Sequence, residues 1–133
     1  MLVRGTVPCI TTDKIDETRA FYEAYMNGQL TFDAGSFITL KLGKAKSAPR
    51  LSFMQPEPGE TAFPGEGLIY NVEVKGVDKL HQRFKDDGVE VVVPLEDHEW
   101  GDRGFAVRDP SGIALYCYEP REPAPAFKQF EVG

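Results

Sequence analysis

The densest group of chemically active side chains in the sequence is the run Glu-Asp-His-Glu-Trp-Gly-Asp at residues 96–102. Four carboxylates surround Trp100 there, and an aromatic face beside acids suits a planar or cationic ligand. His98 lies within the run, and beside Asp97 or Glu99 its imidazole could carry a proton. The competing interpretation is a solvated acidic loop whose tryptophan only anchors a hairpin. We take the acids as solvated and leave both interpretations of Trp100 open.

Other candidates for chemistry are few. The chain has two histidines, His81 and His98, and two cysteines, Cys9 and Cys117. Two cysteines are too few for a disulfide scaffold and are typical of a reducing cytoplasm. Cys9 is either a reactive thiol or a small buried hydrophobe. Glycine-rich phosphate loops, serine nucleophile elbows and Cys-x-x-Cys pairs are absent from the sequence. We therefore identify no catalytic residue.

Composition narrows the possible partners. The 133 residues are 41 % hydrophobic and 27 % charged, which is typical of one small globular domain. A formal charge of -6 repels phosphate backbones, so we expect no nucleic-acid partner. No apolar run is long enough to cross a bilayer, and the first residues lack the hydrophobic segment of a signal peptide. We expect a cytoplasmic protein without a membrane partner.

The elements that must position these residues form a repeated pattern. Residues 1–57 predict a first module of order βαβββ. Its helix has Asp13 as N-cap, an apolar stripe that includes Tyr22, and Gly28 just past its end. The strands of this module are predicted at 3–10, 29–33, 36–42 and 50–55.

A second module of the same order follows a linker rich in proline and glycine at residues 58–66. It covers residues 67–120, and a shift of 62 positions aligns Tyr22 with Phe84 in the two helices. Its strands are predicted at 67–75, 89–94, 103–108 and 113–119, with a type I turn at 109–112. The tail at 121–133 is rich in proline and is predicted to be extended.

Two motifs link this duplicated pattern to a known family. They are Thr-Arg-Ala-Phe-Tyr at 18–22 in the first helix and the run at 99–112, which reads Glu-Trp-Gly-Asp-Arg-Gly-Phe-Ala-Val-Arg-Asp-Pro-Ser-Gly. With the βαβββ repeat, they resemble the vicinal oxygen chelate superfamily of glyoxalase I, bleomycin-resistance proteins and extradiol dioxygenases. The resemblance implies an α+β fold of tandem βαβββ modules that form an open-barrel cavity.

In such a fold, strand residues alternate between the helix-covered face and the cavity face. The resemblance thereby implies a cavity lined by Val7, Cys9, Ser52, Met54, Ile69, Asn71, Glu73, Trp100 and Tyr116. Asn71 either contacts a ligand or satisfies a neighbouring backbone group, and Glu73 either enters the cavity or ends in solvent.

The metal enzymes of this superfamily carry His, Gln or Glu at four cavity positions. The resemblance places those positions at Val7, Ser52, Ile69 and Tyr116, none of which is a usual ligand for a divalent cation. We therefore expect neither a metal nor another cofactor.

The resemblance is nearest to the metal-free bleomycin-resistance branch. It implies a homodimer that binds or sequesters a small organic molecule, with a drug-like or cationic compound as one candidate. Two alternatives stay open: a metal-dependent lyase, isomerase or dioxygenase with non-standard ligands, and a non-catalytic dimeric interaction module.

Overall fold

The computed structural model describes residues 2–133. The chain divides into two compact units, one up to Glu66 with Asp109–Gly112, the other comprising Gly67–Arg108 and Ile113–Gly133. Each unit contains a four-stranded sheet and an α-helix in the order βαβββ. The α+β fold of two repeated modules predicted from the sequence is confirmed.

The first unit has its strands in the order β1-β4-β3-β2, with β1 parallel to β4 and the other pairs antiparallel. Its core is the helix stripe packed on one sheet face, where Tyr22 and Phe53 are buried with ring centroids 5.6 Å apart. The elements are β1 (Cys9–Thr11), α1 (Ile15–Tyr25), β2 (Gly28–Asp33), β3 (Phe37–Leu42) and β4 (Arg50–Met54).

Two details of the first unit differ from prediction. Strand β1 begins at Cys9 rather than at residue 3, because Pro8 has no N–H to donate to a ladder and only its carbonyl bonds Ser52 N–H at 2.9 Å. Val7 therefore lies outside the strand and is exposed. The helix N-cap is Lys14 rather than Asp13, and it makes no side-chain capping bond.

The second unit repeats the topology in the order β5-β8-β7-β6. Phe84 and Phe105 are fully buried in its core with ring centroids 5.9 Å apart. The elements are β5 (Ile69–Glu73), α2 (Val77–Asp86), β6 (Val91–His98), β7 (Asp102–Arg108), β8 (Ala114–Pro120) and α3 (Pro125–Lys128).

The predicted acidic loop is the end of a hairpin. Strand β6 continues to His98, which pairs with Asp102 at the start of β7. Only residues 99–101 turn, and Gly101 takes the left-handed φ of 119° that the tight reversal requires. The tail is not wholly extended either, because it contains the short helix α3.

The turn Asp109–Gly112 belongs to the first compact unit, although the sequence places it inside the second module. Gly112 N–H donates to the Asp109 carbonyl at 3.1 Å, which closes the predicted four-residue turn. The buried Asp109 carboxylate accepts hydrogen bonds from Tyr22 at 2.5 Å and from Ser111 at 2.7 Å. The first of these bonds ties the turn to α1.

Within residues 2–133, no helix has the length and apolar character needed to cross a membrane.

Candidate ligand cavity

The second unit contains a cavity of about 370 Å³ on the sheet face away from α2. Strands β5 and β8 run parallel here, with Asn71 opposite Tyr116 in register. Alternate residues of β8 face opposite ways, so Leu115 and Cys117 are buried in the core while Tyr116 and Tyr118 face the cavity. The lining residues are Ile69, Asn71, Trp100, Asp102, Tyr116 and Tyr118.

Asp102 connects the polar groups of this cavity. One carboxylate oxygen, Oδ1, accepts a hydrogen bond from the Tyr116 hydroxyl at 2.7 Å and lies 2.8 Å from His98 Nδ1. The other, Oδ2, accepts from the Trp100 indole N–H at 2.7 Å. The expectation of solvated acids is therefore wrong for Asp102, which is buried. A buried carboxylate with three partners organises its surroundings.

The hairpin register selects the histidine's partner. Asp97 and Glu99 are adjacent to His98 in sequence and both are exposed, whereas Asp102 lies directly across the ladder. The prediction that Asp97 or Glu99 assists the imidazole is thus corrected to Asp102. An ionised carboxylate only accepts hydrogen bonds, so we assign the hydrogen of the neutral ring to Nδ1. The basic nitrogen of that ring is then Nε2.

Tyr116 reaches Asp102 because residue 104 is glycine. A Cβ on Gly104 would lie 2.6 Å from the Tyr116 hydroxyl oxygen and 2.7 Å from Cζ, closer than real Cβ contacts. The Tyr116 ring therefore lies directly over Gly104 of β7, which has no side chain. Burial raises the pKa of Tyr116, and the hydrogen bond and charge of Asp102 raise it further. The phenol stays protonated and donates.

Trp100 serves as both anchor and wall. Its ring stacks on His98 with centroids 4.2 Å apart and planes 4° from parallel, and its N–H is bound by Asp102. The residue is nevertheless 54 % exposed, and it lines the cavity. Tyr116 and Tyr118 stack nearby at 6.0 Å. Trp100 therefore both anchors the hairpin and forms part of the cavity wall.

Comparison with known proteins agrees with this architecture. The family model described as Glyoxalase/Bleomycin resistance protein/Dioxygenase superfamily matches residues 6–116. The chain belongs to this superfamily.

Solved structures of the superfamily share the fold at low sequence identity. A glyoxalase/bleomycin resistance protein/dioxygenase from Nocardioides is 19% identical, with a TM-score of 0.73 over 100% of this chain and 93% of its own. A bleomycin-binding protein complexed with bleomycin is 20% identical, with a TM-score of 0.64 over 90% and 100% of the two chains. A bleomycin resistance determinant encoded on the transposon Tn5 is 20% identical, with a TM-score of 0.65 over 89% and 98%. A search of curated proteins gives no match.

Four of the nine predicted lining residues come together in this cavity. Ile69, Asn71, Trp100 and Tyr116 line the cavity of this superfamily member, while Glu73 is exposed at the end of β5. The other predicted lining residues belong to the first unit and are Val7, Cys9, Ser52 and Met54. Asp102 was missed because a carboxylate in an acidic run is typical of a solvated loop, and because its position across from His98 depends on the hairpin register seen in the structure.

The four residues that the resemblance assigns to metal-ligand positions have side chains that are not usual ligands of a divalent cation. Ile69 and Val7 have no lone pairs to offer. The Ser52 hydroxyl lies 2.8 Å from that of Thr39, and the Tyr116 hydroxyl donates to Asp102. In residues 2–133, no three His, Cys, Asp or Glu side chains gather at a metal-sized site.

Proposed function

We propose that this superfamily member binds a small, planar, cationic organic molecule in the cavity of its second unit, without a metal or other cofactor. The observation that carries the proposal is the buried Asp102 carboxylate in a wall otherwise formed largely by Trp100, Tyr116 and Tyr118. Aromatic faces and one well-placed charge are the usual components of a cavity that orients a small ligand.

The charge of the cavity favours a cation. Two of the groups that bind Asp102 are uncharged donors, the Trp100 indole and the Tyr116 phenol. They orient the carboxylate without neutralising it. Two opposite charges 4 Å apart near a protein surface attract by about 4 kcal/mol, whereas an exposed cation–π contact contributes about 0.5–1 kcal/mol. Asp102 therefore sets the preference for positive charge, and the rings set the preference for a flat molecule.

The comparisons supply a first probe. One structural relative is a bleomycin-binding protein in complex with bleomycin, so bleomycin should be tested beside a simple planar cation. Ethidium is suitable as that cation, and anilinonaphthalene sulfonate is an aromatic anion for comparison. The homodimer and the cytoplasmic location stay predictions, and native mass spectrometry of purified protein would give the subunit number.

Charge changes at Asn71 test the proposal without disturbing the Asp102 cluster. Asn71 is exposed in the cavity wall, so both Asn71→Asp and Asn71→Lys should fold. Calorimetry in EDTA should show ethidium binding about tenfold tighter to Asn71→Asp and about tenfold weaker to Asn71→Lys, since tenfold corresponds to about 1.4 kcal/mol.

The control makes the same charge changes at Thr31, an exposed residue of β2 in the first unit. Thr31→Asp and Thr31→Lys should leave the affinity almost unchanged if the cavity, rather than net charge, binds the cation. Equal effects at the two positions would contradict the assignment of the site. Loss of binding in EDTA that stoichiometric metal restores would overturn the metal-free part of the proposal.

A further inference from the structure

The C-terminal tail lies beyond the superfamily match, which ends at residue 116, yet it is hydrogen-bonded to the turn that carries Trp100. Arg121 N–H donates to the Gly101 carbonyl at 2.7 Å, and Ala124 N–H donates to the Glu99 carbonyl at 2.8 Å. These acceptors are the residues on either side of Trp100. The tail therefore holds the tryptophan's own backbone from both sides.

Close packing accompanies these bonds. A Cβ on Gly101 would lie 3.2 Å from the Arg121 carbonyl oxygen and 3.2 Å from Pro123 Cβ, so the tail lies directly against the turn. The ring of Pro123 fixes its backbone φ, which restricts the conformations by which the tail could move away from the turn.

The tail residues also contact one another. Lys128 forms an ion pair with Glu122, and Phe127 packs edge-on against Phe130. Helix α3 begins after Ala124, whose carbonyl accepts the N–H groups of Phe127 and Lys128. The segment that touches the turn is thus continuous with a locally ordered end of the chain.

We infer that residues 121–124 act as a strap that positions Trp100 for ligand binding, so that the C-terminal tail is part of the cavity's construction. This inference rests on the proposed function only for the identity of the ligand. Trp100 is held at its ring by Asp102 and His98 and at its backbone by the strap. Release of the strap leaves the ring contacts in place but allows the turn to move. The expected consequence is a looser aromatic wall on an intact fold.

Ala124→Pro is the sharpest test. The backbone φ of Ala124 is −62°, a value that proline adopts without strain. The substitution removes the N–H that donates to the Glu99 carbonyl and places the proline ring against that carbonyl. Ala124→Ser keeps the N–H and is the matched control. Pro123→Gly, which loosens the strap without adding atoms, is a second variant with a different risk to folding.

Trp100 is the single tryptophan of the chain, so its fluorescence reports on this turn alone. Acrylamide should quench the emission of Ala124→Pro and Pro123→Gly about twice as efficiently as that of the wild type and Ala124→Ser. Ethidium affinity, measured by calorimetry, should fall several-fold in the same two variants. Far-ultraviolet circular dichroism should be unchanged, because the sheets and α2 do not depend on the strap.

The fluorescence and binding measurements separate the possible failures. Equal quenching in all four proteins would overturn the strap, whatever the ligand. Increased quenching with unchanged ethidium affinity would overturn its role in the site. A wild type that binds no ethidium would contradict the proposed function, and the quenching comparison would still decide whether the strap holds Trp100.

Discussion

The two units share a topology but use their sheets differently. Cys9 lies opposite Ser52 on β1 and β4, just as Asn71 lies opposite Tyr116 on β5 and β8. In the first unit, the Ser52 hydroxyl ends on the neighbouring Thr39 hydroxyl at 2.8 Å. In the second, the Tyr116 side chain at the corresponding position lies over Gly104 of β7, and its hydroxyl donates to Asp102 on the same strand. The same position holds a local contact in one unit and part of the candidate ligand cavity in the other.

The cores differ in a related way. In each unit a helix aromatic packs on a sheet aromatic, but Tyr22 meets Phe53 on β4, whereas Phe84 meets Phe105 on β7. The register places Ile38 opposite Phe53 and Cys117 opposite Phe105, so the large and small residues have exchanged strands. The volume under each helix can thus be filled from either strand, while the far face is free to acquire chemistry.

The largest effects should come from those core aromatics. Phe53→Ala and Phe105→Ala each remove a fully buried ring, and each should lower the free energy of unfolding by about 3–5 kcal/mol in urea denaturation. Similar losses would support equivalent cores in the two units. Phe32→Ala is the control, because Phe32 is 55 % exposed on the edge strand β2 and should change stability by less than about 0.5 kcal/mol. A small loss at either core position would contradict the exchange of strands.

Tyr22 of α1 and Phe84 of α2 occupy matching positions and differ by one hydroxyl group. Removing the hydroxyl from one and adding it to the other tests whether the two positions are interchangeable. Tyr22→Phe removes the 2.5 Å bond to the buried Asp109 carboxylate and should cost about 1–3 kcal/mol. The reverse change, Phe84→Tyr, places a hydroxyl in a fully buried site evolved around a bare ring and should also cost about 1–3 kcal/mol. Urea denaturation measures both. A neutral Phe84→Tyr would show that the helix positions are interchangeable.

A smaller effect should separate the two helix N-termini. At the start of α1 the neutral Thr12 hydroxyl accepts a single N–H, that of Lys14 at 3.1 Å. At the start of α2 the Glu119 carboxylate on β8 accepts two, those of Gly76 at 2.9 Å and Val77 at 2.6 Å. These backbone bonds lower the pKa of Glu119. Its stabilisation is therefore present above the ordinary carboxyl pKa and is lost as the pH falls through the lowered folded value.

Glu119→Gln should consequently lower the melting temperature by a few degrees near pH 7, and the difference from wild type should shrink as the solution is acidified. Asp13→Asn is the matched change at the start of α1 and should have almost no effect, because the structure shows no Asp13 cap. A difference that stays constant down to strongly acidic pH would rule out an ionised Glu119 as the cap.

The parts of this architecture that were predictable are those that depend on periodicity. The apolar stripe through Tyr22 and the glycine after the helix were sufficient to predict α1. Strand alternation placed Asn71 and Tyr116 on one face only when combined with the fold that the family resemblance implies. Contacts between elements were not predictable. The Glu119 carboxylate binds two N–H groups at the start of α2, which lie 43 and 42 positions earlier in the sequence. The role of Asp102 depends on the length of β6. Hairpin register and long-range caps arise from tertiary packing, which a local pattern does not encode.

The smallest effect concerns the two thiols, one in each unit. Cys9 on β1 is exposed, whereas Cys117 on β8 is fully buried, and burial raises the pKa of Cys117 to about 12. Since the thiolate is the nucleophile, a disulfide reagent at pH 8 should label Cys9 in the native protein and Cys117 only after unfolding. Cys9→Ser should abolish the early reaction and Cys117→Ala should leave it intact, as followed by absorbance or mass spectrometry. Because the raised pKa favours the neutral thiol in the fold, the stability that Cys117 contributes is present below pH 9.0 and is lost as the pH rises through about 12. Equal labelling rates for both thiols in native protein would mean that β8 opens as readily as the edge strand β1, which would contradict a cavity built on a rigid second sheet.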